Sequence, residues 1–314
     1  MAVDVKLLED HRSFDDARLG ISERFLDLHL STGRTLGVLA GPLGPSRPVA
    51  WVVCHSFGTE QTDLQMTEVA AARRIAASGF PVLRFHCQGY GDSEDLETPP
   101  SVQSQVRDCT EVVRLLPALA GVSEVGVLGA RVGAMVAAIT AEREHLPFLA
   151  MVAPVVDGAL YMKEQVRSRV IAEAVKQSPE AAGSSPEDPG RTLDRGGTVS
   201  IKGWPLHAAV YRQASGLSLL SELRSFVGSA LVVQVTRNDS PNGRLRTLAE
   251  RLRGLGADVH IEVVTDPAAP HFGYEHFQSP DQEVLADSLA GINDKVAAAV
   301  TAWVRRAAGT GGRA

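Results

Sequence analysis

Short runs of β-branched and apolar residues alternate with longer stretches of helical periodicity along almost the whole chain. That alternation dictates an α/β fold, a mostly parallel sheet covered by helices on both faces. Residues 24–31 and 35–41 alternate apolar and polar side chains around Thr32-Gly33-Arg34, which predicts an antiparallel hairpin. Residues 49–54 form a continuous apolar run, the pattern of a strand buried on both faces. Further strands are predicted at 81–85, 124–128, 148–153, 230–235 and 259–264, giving eight in all. Helices are predicted at 63–78, at 101–119 with Ser101 as N-cap, after Gly133, at 244–255 and at about 284–306. The rhythm breaks between 159 and 223, where helical sequence flanks a Pro/Gly/Ser-rich segment at 178–190. This reads as a helical lid inserted into one core made of residues 20–158 and 224–308, with a disordered tail at 309–314.

Composition narrows the partners. With 44% hydrophobic and 22% charged residues in 314, the chain can bury a large core. Net charge is -6 and aromatics are 5%, without a basic patch, so nucleic acid is excluded as a partner. The apolar run at residues 49–54 falls far short of the roughly 20 residues of a membrane span. The first residues, MAVDVKLLEDHRSFDD, are acidic and polar, unlike a signal peptide, and imply a cytoplasmic protein. Cys54, Cys87 and Cys109 are odd in number and widely spaced, which fits reduced thiols. The nine histidines show no metal-ligand spacing, and Gly126, Gly129 and Gly133 do not make a dinucleotide fingerprint. No cofactor and no metal are expected. The 26 Arg against 5 Lys fit GC-rich codon usage.

One motif carries more chemistry than the rest. The strand at 124–128 runs through Gly129-Ala130-Arg131-Val132-Gly133 into a helix of small residues. A strand entering a helix through Gly-x-x-x-Gly resembles the nucleophile elbow of the α/β-hydrolase superfamily, with Arg131 where that family places serine. Other landmarks follow in the family's order. His55-Ser56-Phe57-Gly58 resembles the loop that supplies an oxyanion-hole amide, Val132 supplying the other, and Gly89-Tyr90-Gly91-Asp92-Ser93 resembles the turn after the next strand. The resemblance implies Asp239 as the site acid and His271 as the site histidine, with His276 the alternative base. Ala153-Pro154-Val155-Val156-Asp157-Gly158 with Tyr161 is similar to the exosortase-system-associated and serine-aminopeptidase-like hydrolases. Cys54, Asp157 and Tyr161 join the expected substrate-binding set.

A guanidinium stays protonated and offers no lone pair, so Arg131 forms no acyl-enzyme. Its planar fork suits a carboxylate or an enolate, and an oriented Asp239-His271 pair still serves as general base. Base-assisted chemistry on a small acylated, anionic metabolite follows. Elimination of a carboxylate, as in secondary-metabolite tailoring, is the first expectation. An esterase or thioesterase using directly activated water is the second, and a non-catalytic binder of an anion the third, with Arg131 then paired to Asp157, Glu60 or another carboxylate. A homodimer and a carrier-protein-linked substrate are both compatible with the sequence.

Overall fold

The computed structural model describes residues 12–176, 188–237, 242–267, 269, 272 and 282–309. Asp239, His271 and His276 lie outside the described residues, as do most of the 178–190 segment and residues 310–314.

The described strands join in a sheet of nine, not eight. They are β1 (Ser13–Asp16), β2 (Ile21–Leu30), β3 (Gly33–Pro42), β4 (Val49–Cys54), β5 (Val82–Phe85), β6 (Glu124–Ala130), β7 (Phe148–Val152), β10 (Ser229–Thr236) and β11 (Asp258–Thr265). Their order across the sheet is β1-β2-β3-β5-β4-β6-β7-β10-β11. The first three are antiparallel, β3 meets β5 antiparallel, and from β5 to β11 every pairing is parallel. The extra strand β1 has a single apolar residue, Phe14, and exists through its ladder to β2, a pairing that no local pattern announces.

Central β4 shows how the apolar runs build two cores. All six of its residues are buried. Val49, Trp51 and Val53 face α1 (Glu60–Ala77) and the C-terminal helix α9 (Gln282–Ala307), while Ala50, Val52 and Cys54 face α2 (Val102–Ala120) and α3 (Val132–Glu144), and α8 (Gly243–Leu255) packs on β10 and β11 in the same core. Ser101 caps α2 as expected, in a reciprocal capping box with Ser104. No helix among the described residues is long and apolar enough to cross a membrane.

Between β7 and β10 lie the helices α4 (Gly158–Lys176), α5 (Pro189–Asp194), α6 (Ala208–Ser215) and α7 (Leu219–Glu222). They are joined by an unexpected antiparallel hairpin, β8 (Thr198–Ile201) with β9 (Trp204–His207). The insertion thus carries a hairpin besides the helices that the sequence predicts. The two-residue turn Lys202-Gly203 holds both residues at positive φ, which matches the right-handed twist of the flanking strands.

Candidate active site at the Arg131 elbow

Strand β6 hands the chain to α3 at Arg131, whose backbone sits at φ 55 and ψ -120. A non-glycine residue there is strained, and two close approaches hold it. A Cβ on Gly129 would stand 2.2 Å from the Gly133 carbonyl oxygen, and one on Gly133 would stand 2.3 Å from the Cys54 carbonyl oxygen. The Arg131 amide donates to the Val152 carbonyl at 2.9 Å, and its carbonyl accepts from Ala134 and Val155, both at 3.2 Å. The elbow is therefore intact with arginine in it. Val132 is the first residue of α3, so its amide has no acceptor within the helix.

The Arg131 side chain, 17% exposed, meets Glu60, 4% exposed, at the start of α1. Its Nε and Nη2 each donate to the Glu60 Oε1 at 3.4 Å. The other oxygen of Glu60 accepts from the Ser56 hydroxyl at 2.9 Å. The guanidinium carbon also lies 5.9 Å from the centre of the Tyr161 ring on α4, within cation–π range. Burial pushes the Tyr161 phenol well above its usual range, and the Glu60 charge adds to that while Arg131 opposes it. A carboxylate, a guanidinium, a hydroxyl and a phenol thus share one buried cluster at the C-terminal ends of the parallel strands, where α/β sheets place their ligands.

Arg131 also borders an open cleft of two adjoining lobes, of about 300 and 130 Å³, both lined by Arg131, Pro154, Asn242 and Leu245. Ala153 and Gln234 border the larger lobe, Asp157, Tyr161 and Arg244 the smaller. Ala153 is held at φ 43 although it precedes a proline, so two strained residues face the same space.

His55 is fully buried, and its Nε2 accepts the Cys87 amide at 2.9 Å. That bond leaves Nδ1 as the protonated nitrogen, which donates to the Ser56 carbonyl at 2.8 Å. The ring braces the loop from below and does not reach the cleft. Cys54 is likewise fully buried and belongs to the core. The Gly58 amide donates to the Tyr90 hydroxyl at 3.3 Å. Asp157 is exposed at the rim of the smaller lobe and caps α4 by accepting the Leu160 amide at 3.0 Å. The partner of Arg131 is therefore Glu60, of the two carboxylates named from the sequence. His86, which precedes the Gly-rich turn, accepts the Asp92 amide at 3.2 Å and so ties that turn back to β5.

Beneath the loop, burial pushes the Glu68 carboxyl up to about 8, against smaller opposing contributions from Arg84 and the Ser56 backbone. Burial also lowers His55 to about 4, opposed by its bond to Ser56. Folded Glu68 keeps a proton that the unfolded chain gives up above 4.5, so its stabilisation is full below that pH and is lost as pH rises toward 8. His55 has the opposite sign: the unfolded chain takes a proton below 6.5 that the folded state refuses down to about 4. The two slopes oppose one another between 4.5 and 6.5, and above 6.5 only that of Glu68 remains. Stability should therefore fall by about 1.4 kcal/mol per pH unit from 6.5 to about 8. Urea denaturation of wild type and Glu68→Gln across that range checks this; the variant should lose the slope.

Glu60 and Trp204 are the site residues that sequence reasoning undervalued. Glu60 carried a local signal, four residues after Ser56 at a helix start, but its contact with an elbow 71 residues away depends on how α1 crosses the sheet. Trp204 follows directly on the Lys202-Gly203 turn, and that turn was its only local mark.

The sequence matches no protein-family model and no curated protein. Solved structures do match. Ferulic-acid-bound Est1E from Butyrivibrio proteoclasticus aligns over 91% of this chain and 100% of its own, with TM-score 0.60 and 15% identity. The Pyrococcus furiosus esterase Pf2001 aligns over 94% of each chain, with TM-score 0.57 and 14% identity. A lid-free serine hydrolase from Xanthomonas campestris aligns over 90% of this chain and 94% of its own, with TM-score 0.51 and 17% identity. The chain has the α/β-hydrolase fold.

Proposed function

We propose that this protein is an enzyme that processes a small, acylated, anionic metabolite in the Arg131 cleft without a covalent intermediate. The observation that carries the reading is an elbow that keeps its strained geometry and its cleft while presenting a guanidinium. A cation fixed there by Glu60 stabilises charge that develops on a departing carboxylate or an enolate. His271, oriented by Asp239, is assigned the general base, following the order of landmarks in the family that the sequence resembles.

Elimination is the preferred reaction. The base removes a proton next to a carbonyl, the C–H electron pair becomes the new double bond, and the C–O bond breaks with its pair leaving on the carboxylate. Water activated by the same base, attacking an ester or thioester carbonyl, is the second reading, and it is favoured by the esterases among the structural neighbours. Turnover in heavy-oxygen water separates the two. Elimination releases an unlabelled acid together with an unsaturated product, whereas hydrolysis by direct attack puts one heavy oxygen into the acid and overturns the elimination reading.

A further inference from the structure

Tyr161, whose ring centre lies 5.9 Å from the Arg131 guanidinium carbon, borders two unequal spaces. Toward β7 and α8 lies the open cleft of about 300 and 130 Å³. Toward the 55–58 loop, the space bounded by Phe57, Gly58, Tyr161, Met162 and Trp204 is only about 20 Å³, room for roughly one water. Trp204, delivered by the β8–β9 hairpin, is what closes it. Its indole stacks on Tyr90 with centroids 5.0 Å apart and planes 11° from parallel, and meets the Phe57 ring edge-on at 6.4 Å. The same ring covers Gly58, lying 3.6 Å from where a Cβ would stand. The tight Lys202-Gly203 turn and the paired strands hold the plug on a stiff element.

We infer that Trp204 is the specificity-determining residue of the site and that it limits the acyl group on the 55–58 side to one or two carbons. The substrate class is then an ester or thioester of formic or acetic acid, with the larger, anionic remainder of the molecule in the Pro154–Asn242 cleft. This rests on the reading of Arg131 as the receptor of the acid.

Binding of the acid products tests it directly. Formate, acetate, butyrate, hexanoate and octanoate are titrated against wild type, Trp204→Ala, Trp204→Phe and Arg131→Met by calorimetry, with the melting temperature of each unliganded variant as the folding control. Wild type should bind formate or acetate and weaken from butyrate onward. Trp204→Ala should reverse the trend, gaining up to about fourfold per added methylene as the vacated space buries it. Trp204→Phe, which retains a ring on Tyr90, should fall between them and carries the test if the alanine variant fails to fold. Octanoate bound by wild type as tightly as acetate, an unchanged chain-length cut-off in both Trp204 variants, or no binding of any acid to wild type overturns the inference. If Arg131→Met binds every acid as wild type does while the cut-off still follows Trp204, the anion reading of Arg131 falls and the role of Trp204 stands.

Discussion

Arg131→Met should cost the protein about 3 kcal/mol of stability and lower turnover by about two to three orders of magnitude. The first effect arises because Glu60, 4% exposed, would be left buried at the elbow with the guanidinium gone. Removing one member of a buried pair costs more than the pair itself contributes, since the remaining ion has lost the water that would otherwise solvate it. Adding Glu60→Leu should therefore restore more than half of the lost stability, by exchanging the orphaned carboxylate for an apolar group. It should restore no activity. Urea midpoints for the three variants, set beside turnover of the anionic substrate, distinguish a catalytic cation from a merely structural one. A structural Arg131 predicts that activity returns with stability in the double variant, whereas a catalytic Arg131 predicts that stability returns alone.

Gly133→Ala is expected to be more damaging still, costing more than about 3 kcal/mol, at or beyond the top of the usual range for overpacking. The added methyl would lie 2.3 Å from the Cys54 carbonyl oxygen and 2.9 Å from His55 backbone atoms, and no flexible side chain is there to yield. Strand β4 and helix α3 would have to part, and the elbow that holds Arg131 at φ 55 would open with them. The same substitution at Gly254 should have the opposite sign. That residue lies inside α8 with nothing within 4 Å of the added carbon, so alanine there should stabilise by about 0.5 to 1 kcal/mol. Denaturant titration of both variants reads the contrast.

The parallel part of the sheet was plain because strands buried on both faces are nearly pure apolar runs, as in Val49–Cys54. The elbow was plain because Gly129 and Gly133 are demanded by backbone approaches that fall within one short segment. Strand β1 was not, because its place comes from pairing with β2 and not from its own pattern. Hairpin β8–β9 was missed because Thr198–Ile201 is too short for a periodicity to register, although Lys202-Gly203 was a usable turn signal. In the site, side chains were assigned to the cleft by their nearness in sequence to its motifs. Cys54 and His55 follow that rule and are nevertheless turned into the core, whereas Glu60 reaches the elbow from the start of a different helix.

Intact-mass spectrometry after exposure to a fluorophosphonate shows whether the elbow works without a nucleophile. Wild type should keep its mass, since a protonated guanidinium cannot displace fluoride from phosphorus. Arg131→Ser places a hydroxyl on the same strained turn and should gain one phosphonyl group, mapped by peptide analysis to residue 131. A stable phosphonyl adduct on the wild-type protein, at Ser56 or any other residue, would show that the site has a nucleophile after all.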